Sequence, residues 1–165
     1  AVIGRAKDEK SGLLSVALHA DGSAAQDLWL EAPASKHIPR ITKEMIDEGR
    51  HFPKMKGKQV FRWATDKMPA VAHEVLGKAG LGIKDVDLFV PHQANMRINQ
   101  LVGWRLEIDE EKVVHNIEKY GNTTAATIPM ALDAAIQDGR LTAGKTVLLA
   151  AFGAGFTWAG AVLRF

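Results

Sequence analysis

The chain contains no cysteine in its 165 residues. This excludes disulfides, a thiolate metal site and a cysteine nucleophile carried on this chain. Net charge is almost absent as well: 21 Lys and Arg stand against 19 Asp and Glu, a formal +2. So close a balance gives no argument for nucleic acid or a membrane as partner, and any basic surface has to be local. No apolar run reaches the ~18 residues of a membrane span, and the start has no signal-peptide pattern. A cytoplasmic protein is the expectation. An initiator methionine is also missing. Ala1-Val2-Ile3 reads like the end of a strand, which suggests a part of something larger.

What is present is ordinary for one globular domain: 47% apolar and 24% charged residues, enough to bury a core. Leu13 to His19 reads as a strand closed by Ala20-Asp21-Gly22. Ala1-Val2-Ile3 could pair with it as a hairpin around the charged turn Lys7-Asp8-Glu9-Lys10. Residues 23–54, with Pro33, Pro39, Gly49 and Pro53, form a loop long enough to be functional or covering. Val60, Phe61, Ala64, Met68, Val71, Ala72, Val75, Leu76 and Ala79 recur at helical spacing, with Gly80 as the stop. Pro69 should kink or split that helix, since it cannot donate to the carbonyl four residues back.

Further along, Val86 to Val90 is predicted as a strand and Ala94 to about Leu106 as a helix. Val113-Val114-His115 looks like a short strand. The turn Gly121-Asn122-Thr123-Thr124 opens a third helix, with Thr123 or Thr124 as its cap, and Gly139 closes it. Val147 to Phe152 is a buried strand, Gly153-Ala154-Gly155 a turn, and Phe156 to Phe165 the last strand. This order predicts an α/β fold in which helices cover a mixed sheet.

The chemistry has few candidates. The six histidines show no helical pair at i, i+4, so no metal site is expected. Gly153-Ala154-Gly155 does not continue into a dinucleotide fingerprint, because an apolar strand comes next. Lys54, Lys56, Lys58, Arg62 and Lys67 cluster around the start of the long helix. On pattern alone they are a solvated face; the functional reading is a dock for phosphate or an acidic partner. His92 comes after a buried strand, at the sheet edge where open α/β folds bind ligands, and Asn122 opens a helix. Each alone is ordinary structure. Together, at two strand-to-helix junctions on one sheet edge, they offer two neutral N–H donors to one oxygen, an arrangement that stabilises an enolate or oxyanion.

Three motifs carry a resemblance. Val90-Pro91-His92-Gln93-Ala94-Asn95 with Arg97, Gly-Asn-Thr-Thr-Ala-Ala at 121–126 and Ala-Phe-Gly-Ala-Gly-Phe-Thr-Trp at 151–158 resemble β-ketoacyl-acyl-carrier-protein synthase III of the thiolase superfamily. The similarity extends over residues 1–165, including Leu-His-Ala-Asp-Gly at 18–22, and matches the C-terminal half only. It implies one half of an α-β-α-β-α layered sandwich. It also implies decarboxylative condensation of acyl-CoA with malonyl-acyl-carrier protein, at the start of fatty acid synthesis. No cofactor is bound in that reaction; acyl-CoA and the phosphopantetheinyl carrier protein are the substrates. His92 and Asn122 would be catalytic, holding the malonyl thioester carbonyl, with His92 donating through Nε2–H. The amide of Ala154 would complete an oxyanion hole. Arg62, Arg97 and Arg105 would dock the carrier protein. Met55, Gly57, Lys58, Phe61 and Phe152 would line the pantetheine tunnel and acyl pocket.

The family's nucleophile is a cysteine in the other half. The resemblance therefore implies a partner segment carrying that cysteine, inactivity without it, and a homodimer of the complete enzyme. Two alternatives stay open: another condensing enzyme of the superfamily (polyketide-starter, quinolone or long-chain type), or a non-catalytic carrier-protein docking half.

Overall fold

The computed structural model describes residues 4–6 and 11–165; the hairpin expected between residues 1–3 and the first strand lies outside them. Its centre is a four-stranded mixed sheet in the order β1-β6-β5-β4. The strands are β1 (Gly12–Ala20), β4 (Leu88–Pro91), β5 (Thr146–Gly153) and β6 (Thr157–Arg164). β4 and β5 run parallel, while β6 is antiparallel to both β5 and β1. The α/β expectation therefore holds, with every main strand within a few residues of its predicted bounds.

Alternation along the central strands sorts the core into two layers. Phe89 of β4 and Leu148, Ala150 and Phe152 of β5 turn to one face. There they meet Ala64, Met68, Val71, Val75 and Leu76 of α2 (Gly57–Lys78) and Ile98 and Val102 of α3 (Met96–Arg105). Leu88, Val90 and Val147 turn to the other face, against Ala131 and Ala135 of α5 (Thr127–Gln137). A strand buried on both faces reads as a near-continuous apolar run, and β4 and β5 do so, with Thr146 as the polar exception at the start of β5. Close packing of α2 on β6 is set by Gly160: a Cβ there would stand 3.2 Å from the Val71 carbonyl.

Pro69 does not split its helix. α2 runs through it without interruption. The carbonyl that Pro69 cannot serve is that of Thr65, and Arg105 Nη1 donates to it at 2.6 Å. A side chain from α3 thus supplies the missing hydrogen bond, which explains why the expected break is absent.

The long segment after β1 is structured. It contains a short ribbon of β2 (Leu28–Trp29) with β3 (Lys54–Met55) and the helix α1 (Lys43–Asp47). Glu31 holds it together, meeting Lys54 at 2.8 Å and Arg50 at 3.5 Å. Val113-Val114-His115 is less than a strand: Val113 makes one isolated parallel bridge to Phe89. A single-turn helix, α4 (Ile117–Tyr120), comes next. Asn122 therefore sits between two helices rather than directly after a strand, a correction to the predicted junction.

Candidate active site

His92 is the first residue past β4. Its backbone N–H donates to the Ala150 carbonyl at 2.8 Å, so the β4–β5 ladder continues by one rung and fixes where the ring leaves the sheet. Gln93, wholly buried, secures the turn beyond it. Its Nε2 donates to the carbonyls of Pro91 and Val114, both at 2.9 Å. Its Oε1 accepts from the Asn116 N–H at 3.1 Å. One amide side chain thereby ties the His92 turn to the segment that leads to Asn122.

Asn122 is braced by its own loop. Its Oδ1 accepts the Thr124 N–H at 2.9 Å, which leaves the side-chain NH2 as the group free to donate outward. Contrary to expectation, neither Thr123 nor Thr124 caps a helix with its side chain; the Thr124 N–H is taken by Asn122 instead. Thr124 has a φ of 53°, a left-handed conformation unusual for a β-branched residue. Strain of this kind persists where the surroundings hold it, often at a functional loop. The His92 ring is held from behind: Nδ1 lies 2.6 Å from Thr127 Oγ1, leaving Nε2 for the open side. Burial holds the imidazole below its ordinary value of 6.5. The ring is therefore neutral at pH 7 and can donate through one nitrogen only.

Both side chains open on one cavity of about 830 Å³ at the C-terminal ends of β4 and β5. Of the other predicted site residues, Met55, Gly57, Phe61, Phe152 and Ala154 line the same cavity. Lys58, Arg62, Arg97 and Arg105 are exposed and lie outside its lining. The turn that carries Ala154 keeps an ordinary backbone there, and the demand for glycine falls one residue later. Gly155 has φ +140°, and a Cβ on it would come within 2.7 Å of Thr157 Cγ2. The far side of this turn is pinned by paired backbone bonds between Phe156 and Asp21, at 2.7 and 2.8 Å.

The basic cluster does not stay together as one surface. Lys54 pairs with Glu31 and Lys56 with Asp27. Lys67 lies over both the Trp63 and Trp158 rings, 5.2 Å from each centroid. Arg105 is committed to the Thr65 carbonyl. Lys58, Arg62 and Arg97 remain exposed, and their side chains make no ion pair among the described residues. Sequence reasoning missed Gln93, Thr124 and Thr127. The only signal for Thr127 was a hydroxyl in the first turn of α5 on its buried face.

These features define a class: a thiolase-like α/β half that offers two neutral donors at the C-terminal edge of its sheet. The chain belongs to the family described as 3-oxoacyl-acyl-carrier-protein synthase III, C-terminal, which matches residues 76–165. It is 42% identical over its full 165 residues to the β-ketoacyl-acyl-carrier-protein synthase III of Roseiflexus castenholzii, covering 49% of that protein. Among solved structures, the synthase III of Thermus thermophilus superposes with TM-score 0.84 at 40% identity, over 96% of this chain and 47% of that one. The synthase III of Aquifex aeolicus does so with TM-score 0.83 at 38% identity, over 98% of this chain and 46% of that one. The chain spans about half the length of the relatives it matches.

Proposed function

We propose that this chain supplies the enolate-stabilising half of a condensing enzyme that joins an acyl group from acyl-CoA to malonyl-acyl-carrier protein. The observation that carries the reading is the convergence of His92 and Asn122 on one cavity, with Asn122 turned amino-side out by Thr124. The malonyl thioester oxygen would accept from His92 Nε2–H and from the Asn122 amide. The bond to the carboxylate then breaks, carbon dioxide leaves, and its electron pair is held as the enolate between the two donors. The enolate carbon attacks an acyl-thioester on a cysteine, and the cysteine departs as thiolate. That cysteine belongs to a segment outside this chain, so condensation needs a partner segment, within a homodimer of the whole enzyme. The amide of Ala154 would face the acyl-thioester oxygen. The pantetheine arm would enter past Met55, Gly57, Lys58 and Phe61, with Phe152 beside the acyl group. Arg62 and Arg97 would meet the acidic carrier protein.

The test is to assay the two half-reactions separately in the complete protein. His92→Ala or Asn122→Ala should lower malonyl decarboxylation by roughly 100-fold or more while acyl transfer to the cysteine changes little. Equal loss of both half-reactions would contradict the roles given to the two donors. Condensation by this chain alone would refute the need for a second segment.

A further inference from the structure

We propose that Thr127 is a positioning residue that sets the tautomer of His92: its hydroxyl donates to Nδ1 and so fixes the ring proton on Nε2, where the cavity needs a donor. The inference rests on the enolate reading above and deepens it.

Thr127 is buried to 1% exposure in the first turn of α5. Its Oγ1 has two neighbours that can accept, His92 Nδ1 at 2.6 Å and the Thr124 carbonyl at 2.9 Å. A hydroxyl has one hydrogen to give. If it goes to the Thr124 carbonyl, the His92 ring must carry its own proton on Nδ1 to bond Oγ1. A neutral ring then presents a bare lone pair at Nε2, which repels an enolate oxygen. If it goes to Nδ1, the ring proton sits on Nε2 and points at the cavity. The partner of one ring nitrogen decides the role of the other.

Two observations favour the second arrangement. The shorter contact is the one to the ring. The loser in each case also differs: the Thr124 carbonyl keeps the Thr127 backbone N–H as a donor, whereas Nδ1 has Thr127 Oγ1 as its hydrogen-bond partner among the described residues. Thr124 also links the two donors. Its N–H holds Asn122 Oδ1 and its carbonyl lies beside Thr127. One left-handed residue therefore orients the Asn122 amide directly, and borders the hydroxyl that sets His92.

The experiment uses the complete protein containing this chain, with nitrogen-15 label in histidine. Resonances of His92 are identified by their loss in His92→Gln. The unmodified protein should show protonated Nε2 and unprotonated Nδ1 at neutral pH. Thr127→Val, close in shape but without the hydroxyl, should abolish that preference and lower decarboxylation roughly tenfold or more. Thr127→Ser should restore both. If Thr127→Val fails to fold, Thr127→Ala is read the same way. An unmodified protein with the proton on Nδ1, or a Val or Ala variant that keeps it on Nε2, overturns the proposal. A tautomer that changes while decarboxylation stays intact leaves the Thr127 assignment standing and defeats the donor role of His92 instead.

Discussion

Strands β5 and β1 lie two places apart in the same sheet, and both are rich in apolar residues. In β5, Val147 and Leu148 are completely buried. It is flanked by β4 and β6 and covered by α2 on one face and α5 on the other. In β1, Leu13 is 61% exposed, Val16 47% and Leu18 77%. That strand has β6 on one side and nothing among the described residues on the other. An apolar pattern states which residues need cover; it does not say that the same chain provides it. Exposed apolar residues in a continuous row are unusual enough to mean something, and here the row belongs to a chain about half as long as its relatives.

The most direct way to break this comparison is to truncate one residue of each kind. Phe89→Ala, in a side chain with 0% exposure, should destabilise the chain by about 3–5 kcal/mol through lost burial and a cavity. Leu18→Ala should stay within about 0.5 kcal/mol in the same denaturant titration. If the proposed cysteine-bearing segment packs on β1, the order should narrow in its presence, because Leu18 would then have a partner to lose. Equal effects in the chain alone would mean that the β1 row is already covered.

A similar contrast separates Arg105 from Arg97, both on α3 and both predicted to dock a carrier protein. Arg105 donates to the Thr65 carbonyl opposite Pro69. Arg105→Ala should therefore cost about 1–2 kcal/mol for the stranded carbonyl, and Pro69→Ala in the same protein should recover most of it by restoring a helical N–H. Arg97→Ala should leave stability unchanged, while Arg97→Glu should weaken use of the carrier protein, most at low salt where charge is least screened. A cycle in which Pro69→Ala fails to rescue Arg105→Ala would sink the bridging role.

The pairing of Pro69 with Arg105 marks the boundary of what the sequence could say. Periodicity found α2, α3 and α5, and short apolar runs found β4 and β5, because each pattern is local. His92 and Asn122 were legible because each stands at a junction whose neighbours carry turn chemistry. The contact between residues 65 and 105 was not legible, since nothing local to Pro69 announces a donor from another helix. Gln93 and Thr127 were hidden for the same reason. Their importance lies in what they reach across the fold, and a buried polar side chain leaves no periodic trace. The short elements inside the 23–54 loop were not legible, because backbone bonds such as Ala32 N–H to the Arg50 carbonyl and ion pairs at Glu31 and Asp27 hold them, and neither leaves an apolar pattern.

The smallest effect separates the His92 pocket from the exposed surface by pH. Burial lowers the folded-state pKa of His92 below 6.5, so above that value the ring is neutral in both states and contributes no slope. As pH falls through about 6.5 the unfolded chain takes up a proton that the folded one refuses. Stability should therefore drop with falling pH across this window, and the drop should level off once the folded-state value is passed. Asp21, Glu31 and Asp87 have lowered values too, but their stabilisation is lost in a more acidic window, beginning near the ordinary carboxylate values. Chemical denaturation of the unmodified chain and His92→Gln between about pH 5 and pH 7 isolates the histidine. The unmodified chain should show the steeper fall, and parallel curves would mean that the ring is as freely protonated in the folded state as in the unfolded one.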